Sequence, residues 1–143
     1  MTGYKHILVG LDLSTDCAQI LNKAAEIANV CNADISIAHI VEPLAFAYGG
    51  DVPIDLTEAQ ALMEQQAKTR LAKIVDEVKL TPKDQFVGIG QAATELHRLA
   101  EDRAIDLIVV GSHGRHGLAL LFGSITKGVV QNASCDVLAV RVQ

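Results

Sequence analysis

The chain has 143 residues, half of them hydrophobic, and a formal net charge of −5 at pH 7. That length suits one domain with a full core, read as spanning residues 1–143. The negative charge excludes a general nucleic-acid binder, which needs a basic face for phosphates, and 3% aromatics without Trp argue against base stacking on single strands.

In chain order, Tyr4 through Leu11 (YKHILVGL) is a short apolar run that predicts a strand buried on both faces. Asp12–Leu13–Ser14–Thr15 follows, with Ser14 or Thr15 as the expected cap of the next helix. That helix sets Ile20, Leu21, Ala24, Ile27 and Ala28 at helical spacing, and Asn32 ends it or begins the turn. Asp34 through Ile40 predicts the second strand. Glu42–Pro43 breaks it, and the stretch to Pro53, with Gly49–Gly50, is the longest irregular segment and a candidate lid or variable surface. A long amphipathic helix is expected from about Leu56 to Val78, capped by Thr57, with Leu62, Leu71, Ile74, Val75 and Val78 on its apolar side. A third strand covers Gln85 through Ile89. The next helix, Ala92 to Asp102, is expected to bury Ala93, Leu96, Leu99 and Ala100.

The most informative stretch is Asp106 to Ser124, DLIVVGSHGRHGLALLFGS. It predicts a strand at Leu107–Val110, a loop marked by Gly111, Gly114 and Gly117, and a helix from Ser124 to about Asn132. Glycines let backbone N–H groups approach an anion, and a helix start adds unpaired donors and a positive dipole end. From Leu107 to Cys135 there is no Asp or Glu, while Arg115 and Lys127 are present. Together these features predict a phosphate site; the competing reading is a tight strand-to-helix connection. Neither G-x-x-x-x-G-K-[ST] nor a G-x-G-x-x-G opening a first helix occurs. Asp136 through Val142 closes the chain as a last strand, giving alternating strands and helices throughout. That alternation predicts an α/β fold: a doubly wound, five-stranded parallel sheet with helices on both faces, a three-layer αβα sandwich. Ligands in such a sheet sit at the carboxyl ends of the strands, here Asp12, Ile40–Val41, Gly90 and Gly111.

Cys17, Cys31 and Cys135 are few and widely spaced, so a disulfide scaffold is not expected and a reducing cytoplasm is. The opening MTGYKHILVG reads as neither a signal peptide nor a membrane span, so no membrane insertion is expected.

The chain resembles the universal stress protein family, and its nucleotide-binding branch in particular. The resemblance is carried by KHILVGLDLS at Lys5–Ser14, Ala38–His39–Ile40, Gly88-x-Gly90, and VVGSHGRHG with the later Gly123–Ser124. In that branch Gly-x-x-Gly is followed after nine residues by Gly-Ser or Gly-Thr; here Gly111-x-x-Gly114 and Gly123–Ser124 are separated by eight. The resemblance implies an adenine nucleotide alpha hydrolase-like, or flavodoxin-like, topology, and ATP as ligand with Mg2+ as an optional companion. It further implies that Asp12 meets adenine or ribose, with helix capping as the structural alternative. The backbone of Ile40 would lie beside the adenine. The main chain of Gly111, Gly114, Gly123, Ser124 and Ile125 would hold ribose and phosphates.

Arg115 and His116 are either phosphate clamps or solvated loop side chains. His113-x-x-His116 has no third ligand nearby in sequence, so no metal site is expected. His39 in an apolar strand reads as a hydrogen-bonded core residue, and Cys17 as a packing residue. Leu118–Phe122 reads as core, with cleft shielding or docking of an unidentified protein partner as the alternative. No nucleophile–base pair, H-E-x-x-H or G-x-S-x-G is present, which suits binding and regulation better than turnover; slow ATP hydrolysis or autophosphorylation stays open. A receiver domain would need a phosphoacceptor Asp after the middle strand, where this chain has Gly88–Gly90, and a flavodoxin would want aromatic flanks. A nucleotide-free dimeric interaction module is the remaining alternative. As an apolar edge, Asp136–Val142 predicts a homodimer, which the resemblance also implies.

Overall fold

The computed structural model describes residues 3–13, 16–42, 57–113 and 124–142. Their elements run β1 (His6–Gly10), α1 (Cys17–Cys31), β2 (Asp34–Val41), α2 (Thr57–Glu77), β3 (Asp84–Ile89), α3 (Ala92–Asp102), β4 (Leu107–His113), α4 (Ser124–Val130) and β5 (Asp136–Val142). The strands form one parallel sheet in the order β3-β2-β1-β4-β5, with β3 and β5 at its edges.

Side chains alternate across the sheet and divide the core in two. Ile7, Val9, Ile37 and Val109 face α1 and α2, where Ile20, Leu21, Ala24 and Leu71 meet them. Leu8, Ala38, Ile108 and Val110 face α3 and α4, against Leu96, Ala100 and Val129. Each fully buried Leu or Ile contributes about 1.5–3 kcal/mol, so the period-two alternation of the central strands is what holds helices on both faces. This is the three-layer αβα sandwich expected from the sequence.

Several local expectations are corrected. α1 starts at Cys17 with Asp16 in the cap position, because the chain first turns at Leu13 (φ 62°). Ser14 and Thr15, the expected caps, lie outside the described residues, as does the segment from Pro43 to Pro53. Asn32 closes α1 in the left-handed conformation (φ 56°), where Asn is tolerated, and donates its N–H to the Ala28 carbonyl. Thr57 is the first residue of α2 rather than its cap. Leu62 is 58% exposed, not in the core. It precedes Leu71 by nine positions, which at about 100° per residue puts the two on opposite helix faces. The buried stripe is Ala67, Leu71 and Val75. In α3 it is Ala92, rather than Ala93, that is buried with Leu96 and Ala100. Leu99 and Ala93 pack only partly.

The largest correction concerns β4. It continues past Val110 to His113, in register with β5 through Gly111–Val140, Ser112–Arg141 and His113–Val142. Gly111 is therefore a strand residue, not the first residue of a loop. A Cβ at Gly111 would stand 2.6 Å from Ile20 Cδ1 and 3.3 Å from Val142 Cγ2. At the end of β3, Gly90 (φ 148°) makes the turn into α3 in a conformation that residues with a Cβ rarely adopt.

The amino end of the sheet is tied by Asp106. Its carboxylate accepts from the N–H groups of Lys5 (2.9 Å) and His6 (3.0 Å), and its own N–H donates to the His6 carbonyl (3.1 Å). Buried Ser36 is satisfied by His6 Nε2 at 2.7 Å. Beside this cluster, burial first, then the carboxylates of Asp136 and Asp106, push the Cys135 thiol above its ordinary range. The Tyr4 phenol is raised mainly by the hydrogen bond it donates to Asp136 (2.8 Å).

Both raised groups hold their protons more tightly in the folded state, so their contribution is intact below the ordinary thiol value and is lost as pH rises through the folded values. The urea midpoint should therefore fall once pH passes roughly 8.5, and Cys135→Ala should flatten that decline. Gly111→Ala should lower stability by about 1–3 kcal/mol, because Ile20 must leave its rotamer in a filled core. Urea melts without any nucleotide would read this, and an unchanged midpoint would count against the packing role.

Candidate functional site

The strand order reverses between β1 and β4, the position at which an open α/β sheet leaves a crevice above its carboxyl ends. The register joining the two strands covers Ile7–Leu107, Leu8–Ile108 and Val9–Val109. Beyond it, each strand follows its other neighbour. The Leu11 N–H donates to the Ala38 carbonyl of β2 (2.9 Å), while β4 runs on beside β5.

Three of the residues expected from the sequence share this edge. Asp12 is exposed just past the end of β1. Ile40 lies near the end of β2, 8% exposed and packed on the α3 face. Gly111 lies two residues beyond Val109 in β4, level with Leu11 beyond Val9. Ser124 and Ile125 are the first two residues of α4. Gly114, Arg115, His116, Gly117, Leu118–Phe122 and Gly123 lie outside the described residues. Lys127 is exposed on α4.

His39 is the hydrogen-bonded residue expected of it: Nδ1 stands 2.8 Å from the Leu11 carbonyl. Cys17 is a buried packing residue at the start of α1. Among the described residues no group of three His, Cys, Asp or Glu side chains could hold a metal ion. No helix among them is long and apolar enough to cross a membrane. A groove of about 690 Å³ between α1 and α2 is lined by Cys17, Thr69, Arg70, Lys73 and Glu77 among others. Its charged groups stand on the exposed face of α2 and read as solvated surface.

Sequence reasoning missed one feature of this edge. Leu13 adopts φ 62° with its side chain 9% exposed, directly after Asp12. A leucine gives no signal for that conformation; only the three-dimensional path shows it.

The profile of the universal stress protein family matches residues 3–141. Universal stress protein A homolog 1 of Coxiella burnetii is 40% identical over 139 residues, covering 96% of each chain. Universal stress protein A homolog 2 of the same organism is 36% identical over 147 residues, covering 100% of this chain and 99% of its own. A universal stress protein solved in complex with cAMP has the same fold, with a TM-score of 0.69 at 24% identity over 97% of this chain and 98% of that one. The universal stress protein UspA from Lactobacillus plantarum gives 0.71 at 24% identity, over 99% and 100%. The sheet order, the parting of β1 from β4 and the full-length match agree, and the chain belongs to the universal stress protein family.

Proposed function

We propose that this chain binds an adenine nucleotide, ATP, in the crevice between the carboxyl ends of β1 and β4, and acts as a cytoplasmic stress-response regulator rather than an enzyme. The observation that carries the reading is a coincidence of place. Asp12, Ile40 and Gly111 lie at the carboxyl ends of β1, β2 and β4, with the switch point between β1 and β4, and in sequence the glycine-marked stretch ending in Gly123–Ser124 follows β4. Asp12 would accept from ribose hydroxyls, and the backbone of Ile40 would lie along the adenine. The main chain of Gly111, Gly114, Gly123, Ser124 and Ile125 would wrap ribose and phosphates, with Arg115 on the phosphate oxygens. Mg2+ would enter with the phosphates. The cAMP complex of a protein with this fold supports an adenine nucleotide as the class of ligand.

The second reading, a nucleotide-free dimeric module acting on a protein partner, is favoured by the eight-residue spacer between Gly114 and Gly123. In either reading β5 would pair antiparallel with its copy, making a homodimer across a two-fold axis.

Calorimetric titration with ATP should show one saturable site per chain. A heat extract of the purified protein should absorb at the adenine maximum if the nucleotide is carried through purification. No heat of binding at millimolar ATP would leave the nucleotide-free module. By light scattering the protein should weigh as a dimer, and Ala139→Pro, which removes a backbone donor from β5, should give a monomer that keeps its helical circular dichroism. A wild-type monomer at micromolar concentration would end the dimer reading.

A further inference from the structure

We propose that His39 is a positioning residue for the nucleotide crevice: it holds the peptide between Leu11 and Asp12 so that the Asp12 carboxylate faces the ligand. This rests on the nucleotide reading above. Leu11, the residue that leads out of β1, is held at both of its backbone polar groups by consecutive residues of β2. The Leu11 N–H donates to the Ala38 carbonyl at 2.9 Å, and the Leu11 carbonyl accepts from His39 Nδ1 at 2.8 Å. A carbonyl can only accept, so Nδ1 is the donor in this bond. The carbonyl in question belongs to the peptide bond that leads into Asp12, so its direction sets the direction of the Asp12 backbone.

The next residue shows that this path is imposed. Leu13 sits at φ 62°, a region that side chains with a Cβ seldom occupy, and its side chain is nevertheless buried at 9% exposure. Leu11, on the other side of Asp12, is 5% exposed. The segment thus has two buried leucine anchors, a gripped peptide and a left-handed turn, and the one residue it presents outward is Asp12. Backbone held in a sparsely populated region beside a ligand crevice is a recognised form of preorganisation. If His39 served only to satisfy its own ring nitrogen, its loss would lower stability without touching affinity.

The two roles separate in a titration series on the full chain with ATP. Asn places its amide nitrogen at the branch position that Nδ1 occupies in His, so His39→Asn should bind within about threefold of wild type, whereas His39→Leu should bind roughly tenfold more weakly. In an Asp12→Ala background, His39→Leu should cause no further loss, because the carboxylate it positions is gone. Should His39→Leu fail to fold by circular dichroism, His39→Gln, whose donor lies one atom further out, takes its place with the same expected loss. Equal affinity for wild type and the Leu or Gln variant would overturn the proposal while leaving the nucleotide reading intact. An additive loss in the Asp12→Ala background would overturn it as well. A wild type that binds no ATP would end both.

Discussion

Everything at the candidate site depends on two central strands that are locked together at one end and let apart at the other. The lock is Asp106, whose carboxylate takes the amides of Lys5 and His6 while its own amide returns to the His6 carbonyl. Charge-assisted bonds of this kind are stronger than the neutral ladder bonds they adjoin. Above them, Ile7, Val9, Ile108 and Val109 are wholly buried, so the strands cannot slide without emptying the core on both faces. The parting is equally constrained. Leu11 is committed to β2 by its amide and its carbonyl, and β4 is committed to β5 as far as Val142. The crevice is the space between these two commitments.

The helices close on that crevice through small residues on opposite faces of the sheet. Gly10 lets Leu96 of α3 come in from one side, where a Cβ would meet its Cδ1 at 2.9 Å. Gly111 admits Ile20 of α1 from the other. The short helix α4 needs outside support, since seven residues cannot sustain a helix alone. Val129 is fully buried, and Gly128 lies so close to α3 that an added Cβ would be 2.8 Å from that of Ala93. His97 Nε2 reaches the Gly128 carbonyl at 3.2 Å, one of the last-turn carbonyls left without a partner inside the helix. Its Nδ1 is buried without a partner among the described residues.

Periodicity made the architecture legible because the core demands it. The unbroken apolar runs of β1 and β4, and the spacing of Ile20, Leu21, Ala24 and Ala28, are direct imprints of a sheet buried on both faces. An apolar residue on an amphipathic helix is informative only with its angle, and the angle of Leu62 opposes Leu71 and leaves it exposed. Glycine signals both a turn and a close approach, and at Gly111 the partner that decides between them, Ile20, lies far away in sequence. Leu13 had no signal at all: its left-handed backbone is set by where β2 holds Leu11 and where the core accepts its side chain. The carboxyl-edge position of Asp12, Ile40 and Gly111 is readable from the alternation of strands and helices, whereas the bond from His39 to the Leu11 carbonyl is not.

The two edges of the sheet are built differently, and the difference bears on assembly. β3 is flanked by charge. The Arg103 guanidinium lies over the Phe86 ring at 4.8 Å and stands 3.7 Å from Asp84; Lys83 pairs with Asp34 at 3.4 Å, and Arg98 pairs with Glu95 nearby. Such exposed pairs add little stability. Along an edge, however, charged side chains and a ring already covered by a cation make a strand hard to extend. β5 carries the half-buried run Val137, Leu138, Ala139 and Val140, with Arg141 following. A second strand laid against β5 would cover apolar side chains that one chain leaves partly in water, whereas one laid against β3 would come beside the charged groups at that edge and cost their desolvation. The balance of burial against desolvation therefore favours β5 as the edge on which the proposed dimer is built.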